Sequence, residues 1–149
     1  MKAYKLVRKL KDGNCYPLFI DKNRPFLFKE ERIAECHITP GFSPRTGFHV
    51  CIQPVAPHLK EKLSNGEQRA WIECEVDNYT VYDRPESQGG EWVLAQKFTA
   101  LREMPWNEVR DMQLSYFRNK KHKYINDANM VDYFAKLENE TLRLKEVAL

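Results

Sequence analysis

Cys15, Cys36, His37, His49, Cys51, His58 and Cys74 have side chains of the types that bind zinc. Zinc takes four nitrogen or sulfur ligands in a tetrahedron, usually offered as closely spaced pairs. The pairs here are Cys36-His37 and His49-x-Cys51. Neighbours on a strand point to opposite faces, so Cys36 and His37 do not converge, whereas His49 and Cys51 point the same way. The pattern predicts no metal site and cysteines that behave as small buried hydrophobes. Phosphate and acyl-transfer signatures are also absent. There is no G-x-G-x-x-G, no P-loop and no nucleophile elbow. Gly89-Gly90 has no helix after it to lend an N-terminal dipole to a phosphate.

Contact chemistry is better represented. Trp71 falls on the polar side of its strand pattern, and Trp92 follows the glycine pair of "DRPESQGGEWV" (Asp83–Val93). Exposed Trp with Arg is typical of interface anchors, so Arg84, Trp92 and Trp71 are candidates for gripping a partner. The run "RNKKHKY" holds Arg118, Lys120, Lys121 and Lys123 within six residues, with Tyr116, Phe117 and Tyr124 beside them. Residues 118–124 could meet nucleic acid through phosphate contacts and base stacking. The same pattern also reads as a solvated loop between two helices.

The elements that must position these residues follow from periodicity. "AYKLVRKL", "KDGN" and "CYPLFI" read as strand, hairpin turn and strand. Pro25 disfavours a central strand, leaving Phe26–Phe28 and Ala34–Ile38 as short edge pieces. "TPGFSPRTG" reads as a loop, "FHVCIQP" as a strand, and "VAPHLKEKLSNG" as a short helix. In "RAWIECEV", Ala70, Ile72, Cys74 and Val76 face one way and Arg69, Trp71, Glu73 and Glu75 the other. "YTVYD" continues or re-enters the sheet. "DRPESQGGEWV" then makes a long hairpin loop with a flexible tip, and "EWVLAQKFTAL" is the next strand. After Pro105, Val109, Met112 and Tyr116 fall at helical spacing. Asn126 or Asp127 caps a last helix. Its stripe of Met130, Phe134, Leu137, Thr141, Leu144 and Ala148 suits packing on the sheet or on a second copy, a homodimer through residues 128–148.

The prediction is an α+β chain: a single domain with a mainly antiparallel sheet over residues 3–101, then two C-terminal helices. Residues 1–104 are mainly β with one short helix, and 105–149 are helical. The length of 149 residues suits one domain with a sizeable core. Net charge is +3, unevenly spread as +6 over residues 1–60, −4 over 61–104 and +1 over 105–149. A chain that grips nucleic acid without regard to sequence is usually more basic. The opening "MKAYKLVRK" has no apolar run, and no stretch approaches the ~18 apolar residues of a membrane span. The expectation is a cytoplasmic protein with reduced thiols and no membrane contact.

Three resemblances bear on function. His37-Ile-Thr39 and His49-Val-Cys51 resemble elements of two-histidine phosphoesterases, but they are too close in sequence and the second lacks its hydroxyl, so that reading is set aside. "YKLVRK", "GFHVC" and "GGEWVLAQKFTAL" resemble, over residues 3–101, the order of elements in the ADP-ribosyltransferase superfamily. That resemblance implies a nicotinamide dinucleotide (NAD) held by Arg8, His49 and Glu91, with His49 departing from the family's Tyr or Ser. The whole chain, through "MKAYKLVRKLKDG", "APHLKEKLSNGEQRAWIECEV" and "DRPESQGGEWVLA", resembles short accessory proteins of bacteriophages and prophages. It implies an anti-defence or anti-CRISPR role: a non-enzymatic inhibitor that binds a host protein or ribonucleoprotein in the host cytoplasm and needs no cofactor. A virion or assembly component is the third reading.

Overall fold

A computed structural model describes residues 1–19, 21–35, 46–59 and 68–144. The chain is α+β, with strands first and helices last. The strands are β1 (Lys2–Lys9), β2 (Cys15–Tyr16), β3 (Glu31–Ile33), β4 (Phe48–Cys51), β5 (Gln68–Asp83) and β6 (Glu91–Glu103). The helices are α1 (Trp106–Lys123) and α2 (Ala128–Arg143). Contacts group these elements into two compact units, Met1–Met104 and Pro105–Leu149.

All strand pairings in the first unit are antiparallel. They form a closed circuit: β1 pairs β4, β4 pairs β6, β6 pairs β5, and β5 returns to β1. The sheet is thus rolled around its own apolar side, which removes most unpaired edges. Ala3, Val7, Val50, Ile72, Cys74, Val76, Val93, Ala95 and Phe98 fill the interior. The predicted inner row of β5 (Ile72, Cys74, Val76) is part of this core, with Ala70 packed against it. "YTVYD" belongs to the same strand, so β5 is one 16-residue element. A register shift at Glu73/Cys74 gives the long β5–β6 ribbon one irregularity to bend at.

Several local expectations change. Pro17 has no N–H for the ladder, and β2 stops at Tyr16. Phe26–Phe28 form no strand, although Phe26 donates one backbone bond to Cys15 at 2.8 Å. The edge strand is Glu31–Ile33, earlier than Ala34–Ile38, because Arg32 pairs opposite Phe98 of β6. Residues 36–38 and most of the predicted helix in "VAPHLKEKLSNG" lie outside the described residues. The segment Pro57–Leu59 is a turn.

In the second unit α1 and α2 form an antiparallel hairpin. Asp127 is the N-cap of α2, its Oδ1 accepting from the Met130 N–H at 3.2 Å, an arrangement worth ~1 kcal/mol. Phe134 is 0% exposed, packed among the rings of Phe117, Tyr124 and Tyr133. The buried row of α1 is Val109, Gln113, Leu114 and Phe117, displaced by about one position from the expected Val109, Met112 and Tyr116. Of the apolar stripe of α2, Met130 and Leu137 are half-buried. Phe134 and Thr141 are buried, Leu144 is exposed, and Ala148 lies outside the described residues.

Candidate functional site

The edge of β1 that faces β2 and β4 is only partly paired. Tyr4 registers with Cys51 of β4 and Arg8 with Tyr16 of β2. Among the described residues no pairing falls between those positions on that side, and Lys5 and Leu6 there line a recess of about 420 Å³. The volume is in the range of small-ligand sites, ~300–1,000 Å³. Lys5 spans the gap, donating from Nζ to the His49 carbonyl at 2.8 Å. Burial lowers the Lys5 pKa.

One wall of the recess comes from β4 and the β5–β6 hairpin. His49 Nδ1 and the Tyr82 hydroxyl lie 2.9 Å apart. The Arg84 guanidinium sits 5.1 Å from the Tyr82 ring centroid. The Trp92 indole N–H donates to the Gln88 carbonyl at 2.5 Å, and its ring meets His58 edge-on at 5.7 Å. Burial, then Arg84, lowers the His58 pKa, which favours a neutral imidazole. The hairpin tip is tied rather than loose. Glu86–Gln88 form a 3-10 turn ended by Gly89 at φ +102°, and Arg84 N–H bonds the Gly90 carbonyl at 2.7 Å. A side chain at position 89 would approach the Val55 carbonyl to 3.0 Å, so this turn needs glycine for space as well as for φ.

The other end is built by the chain from Pro17 to β3, and its centre is Arg32. This residue is 7% exposed and lines the recess. Its guanidinium stands over the Phe26 and Phe48 rings, at 5.0 and 5.9 Å from their centroids. Both rings rest on Phe98, at 5.3 and 4.9 Å between centroids. The Arg32 Nη2 reaches Asp21 only at 3.5 Å, and Nε and Nη1 are buried without a hydrogen-bond partner. Burial lowers its pKa, Arg24 adds to that, and Asp21, Glu30 and Glu35 oppose it. Among the described residues around the recess, four cations (Lys5, Arg24, Arg32, Arg84) face two carboxylates (Asp21, Glu35).

The residues singled out in the sequence divide sharply. His49, Arg84 and Trp92 line the recess; Arg8 and Glu91 are not among its lining residues. Arg8 is bound elsewhere, donating to the Pro17 and Lys22 carbonyls at 2.9 and 2.6 Å. Glu91 is exposed at the start of β6, in register with Asp83. The expected Arg8–His49–Glu91 cluster is therefore not assembled. Trp71, a contact candidate in the sequence, is 2% exposed. Trp71, Ile72, Glu73 and Cys74 are buried in succession, so both faces of β5 are covered there. The basic run is not a loop but the last turns of α1. Arg118 and Lys121 both bind Glu138, at 2.7 Å each, while Lys120 and Lys123 lie over the rings of Tyr116 and Tyr124.

Cys15, Cys51 and Cys74 are buried free thiols. Burial pushes the Cys15 thiol up to about 11 and those of Cys51 and Cys74 up to about 12, which leaves them protonated and poor as nucleophiles or ligands. Among the described residues no group of three or more His, Cys, Asp or Glu could hold a metal ion. Cys36, His37 and Thr39 lie outside them. No described helix is long and apolar enough to cross a membrane. Arg32 escaped sequence reasoning because, among the mixed charges of "KEERIAE", it looks like an ordinary solvated cation. Comparison with protein-family models, with curated proteins and with solved structures finds no match for this chain.

Proposed function

We propose that this chain is a non-enzymatic binding protein that grips its target through the recess of the β-rich unit. The observation that carries the reading is the composition of that recess. It gathers Phe, Tyr, Trp, His and Arg side chains, the types that supply contact energy and hydrogen-bonding specificity. Of the three residues that the transferase reading calls for, only His49 lines it. Arg8 and Glu91 are elsewhere and the thiols are held protonated, so an NAD-using transferase is not favoured. The likeness to phage and prophage accessory proteins suggests that the target belongs to the host, as a protein or ribonucleoprotein of the cytoplasm. Nucleic-acid contact through residues 118–124 takes second place, because Glu138 neutralises part of that charge.

Trp92 reports occupancy directly. Host extract, separated into a small-molecule filtrate and a macromolecular fraction, is titrated while tryptophan emission is followed. A saturable change that disappears in Trp92→Phe is expected with at least one fraction. No change with either sinks the proposal. Labelled dinucleotide is expected to leave both the protein and the extract unlabelled; label that is lost on Glu91→Ala would restore the enzyme reading.

A further inference from the structure

We infer that the recess selects a flat-ringed ligand bearing an anionic oxygen group, a carboxylate or phosphate, with Arg32 as the charge that receives it. This deepens the binding reading above and rests on it. Arginine cannot shed its proton at any ordinary pH, so its burial must be compensated by partners. The compensation present is incomplete. Two aromatic faces offer cation–π attraction, but the Asp21 contact at 3.5 Å is long for a charge-assisted bond, which runs ~2.7–2.9 Å. A guanidinium forks onto a carboxylate or phosphate along its Nε/Nη2 or its Nη1/Nη2 edge, so each of the unpartnered Arg32 nitrogens, Nε and Nη1, shares such an edge with Nη2, the atom that reaches Asp21. Both are shielded from bulk water, so solvent does not take the missing partner's place. An oxygen pair that displaces the loosely held Asp21 from Nη2 would complete one of these two edges.

The surroundings agree on the sign and shape of the guest. Among the described lining residues, Lys5, Arg24 and Arg84 add positive charge that Asp21 and Glu35 only partly balance, and an excess of one sign in a cleft draws the opposite sign in. Phe48, Tyr82 and Trp92 supply walls for a flat ring, and the His49–Tyr82 pair supplies polar atoms for its edge. The geometry on the page is common to carboxylate and phosphate, so the test separates them.

The full chain is titrated by calorimetry with two matched pairs: adenosine 5′-monophosphate against adenosine, and indole-3-acetate against indole-3-acetamide. At least one anion is expected to bind roughly 10- to 100-fold more tightly than its uncharged partner. A lead for the nucleotide assigns phosphate, and a lead for indole-3-acetate assigns carboxylate. Arg32→Met is expected to abolish the preference while melting at or above the wild-type temperature, since it removes a buried unsatisfied charge from between two rings. If Arg32→Met lowers the melting temperature or does not fold, the guanidinium is a structural member and the inference fails. A preference that survives in Arg32→Met also overturns it. An uncharged compound that binds as well as its anion overturns the inference but leaves the binding reading intact. Silence from all four probes overturns the inference, and only the additional failure of the host-extract titration removes the binding reading.

Discussion

On α1, Arg118 and Lys121 converge on the carboxylate of Glu138, which is mostly buried between them. In the β-rich unit, Arg32 is buried between aromatic rings with two guanidinium nitrogens, Nε and Nη1, unanswered. The first region is dense in charge and largely neutralised. In the second, Arg32 has one long contact to Asp21 and two nitrogens without a hydrogen-bond partner. Density of charge along a sequence therefore misleads about where charge is available; what matters is whether the fold supplies a partner. The helical hairpin spends its cations on its own stability, and the recess withholds one.

That contrast can be broken at its hydrophobic supports first. Phe134→Ala removes the ring on which the hairpin packs, and Phe98→Ala removes the floor under Phe26 and Phe48. Each is expected to cost about 3–5 kcal/mol in denaturant unfolding. A loss under 1 kcal/mol in Phe98→Ala would mean that the rings flanking Arg32 are not held by it.

The next change reverses sign. Arg32→Met is expected to leave stability unchanged or to raise it by up to ~4 kcal/mol. Truncating a satisfied cation should do the opposite, so Arg118→Met is the control, with a small loss expected. Equal losses in the two would erase the difference between the regions.

Glu138→Gln sharpens the other side. The exposed Arg118 and partly exposed Lys121 limit each pair to ~0.2–1 kcal/mol, for a total below about 2 kcal/mol. The hydrogen bond from Lys121, then that from Arg118, holds the Glu138 pKa below the usual carboxylate range. Its contribution is therefore present above the unfolded pKa of 4.5 and lost as pH falls through the lower folded value. Melting curves between pH 7 and 3 should show this acid-side loss in the wild type and less of it in Glu138→Gln.

The smallest effect belongs to His58. Its folded pKa lies below 6.5, so the charged ring is disfavoured in the native state. Stability is expected to fall slightly as pH drops below 6.5, and His58→Phe should flatten that part of the profile. An unchanged slope would place the pH response elsewhere.

Much of the fold was readable because strands and helices announce themselves by period. The inner row of β5, the Asp12-Gly13 turn and the Asp127 cap follow from side-chain alternation, turn chemistry and capping preference. The misplaced elements share a cause: their positions depend on distant partners. The strand Glu31–Ile33 is defined by its pairing with β6, and the buried row of α1 by the rings of α2. The site was legible in part. His49, Arg84 and Trp92 carry chemistry that stands out in any setting. Arg32 does not, because its importance comes from Phe26 and Phe48 enclosing it, and sequence spacing does not reveal enclosure.

The cysteines have a practical consequence. All four lie in the first 104 residues, and the helical hairpin has none. With Cys36→Ser as the background, the remaining three thiols are buried and held protonated, so they react with a disulfide reagent only when the β-rich unit opens. The chain thus carries an internal clock for one half of itself. Labelling rates report the opening of the rolled sheet and stay blind to the hairpin, and a ligand in the recess should slow that clock without any probe being added.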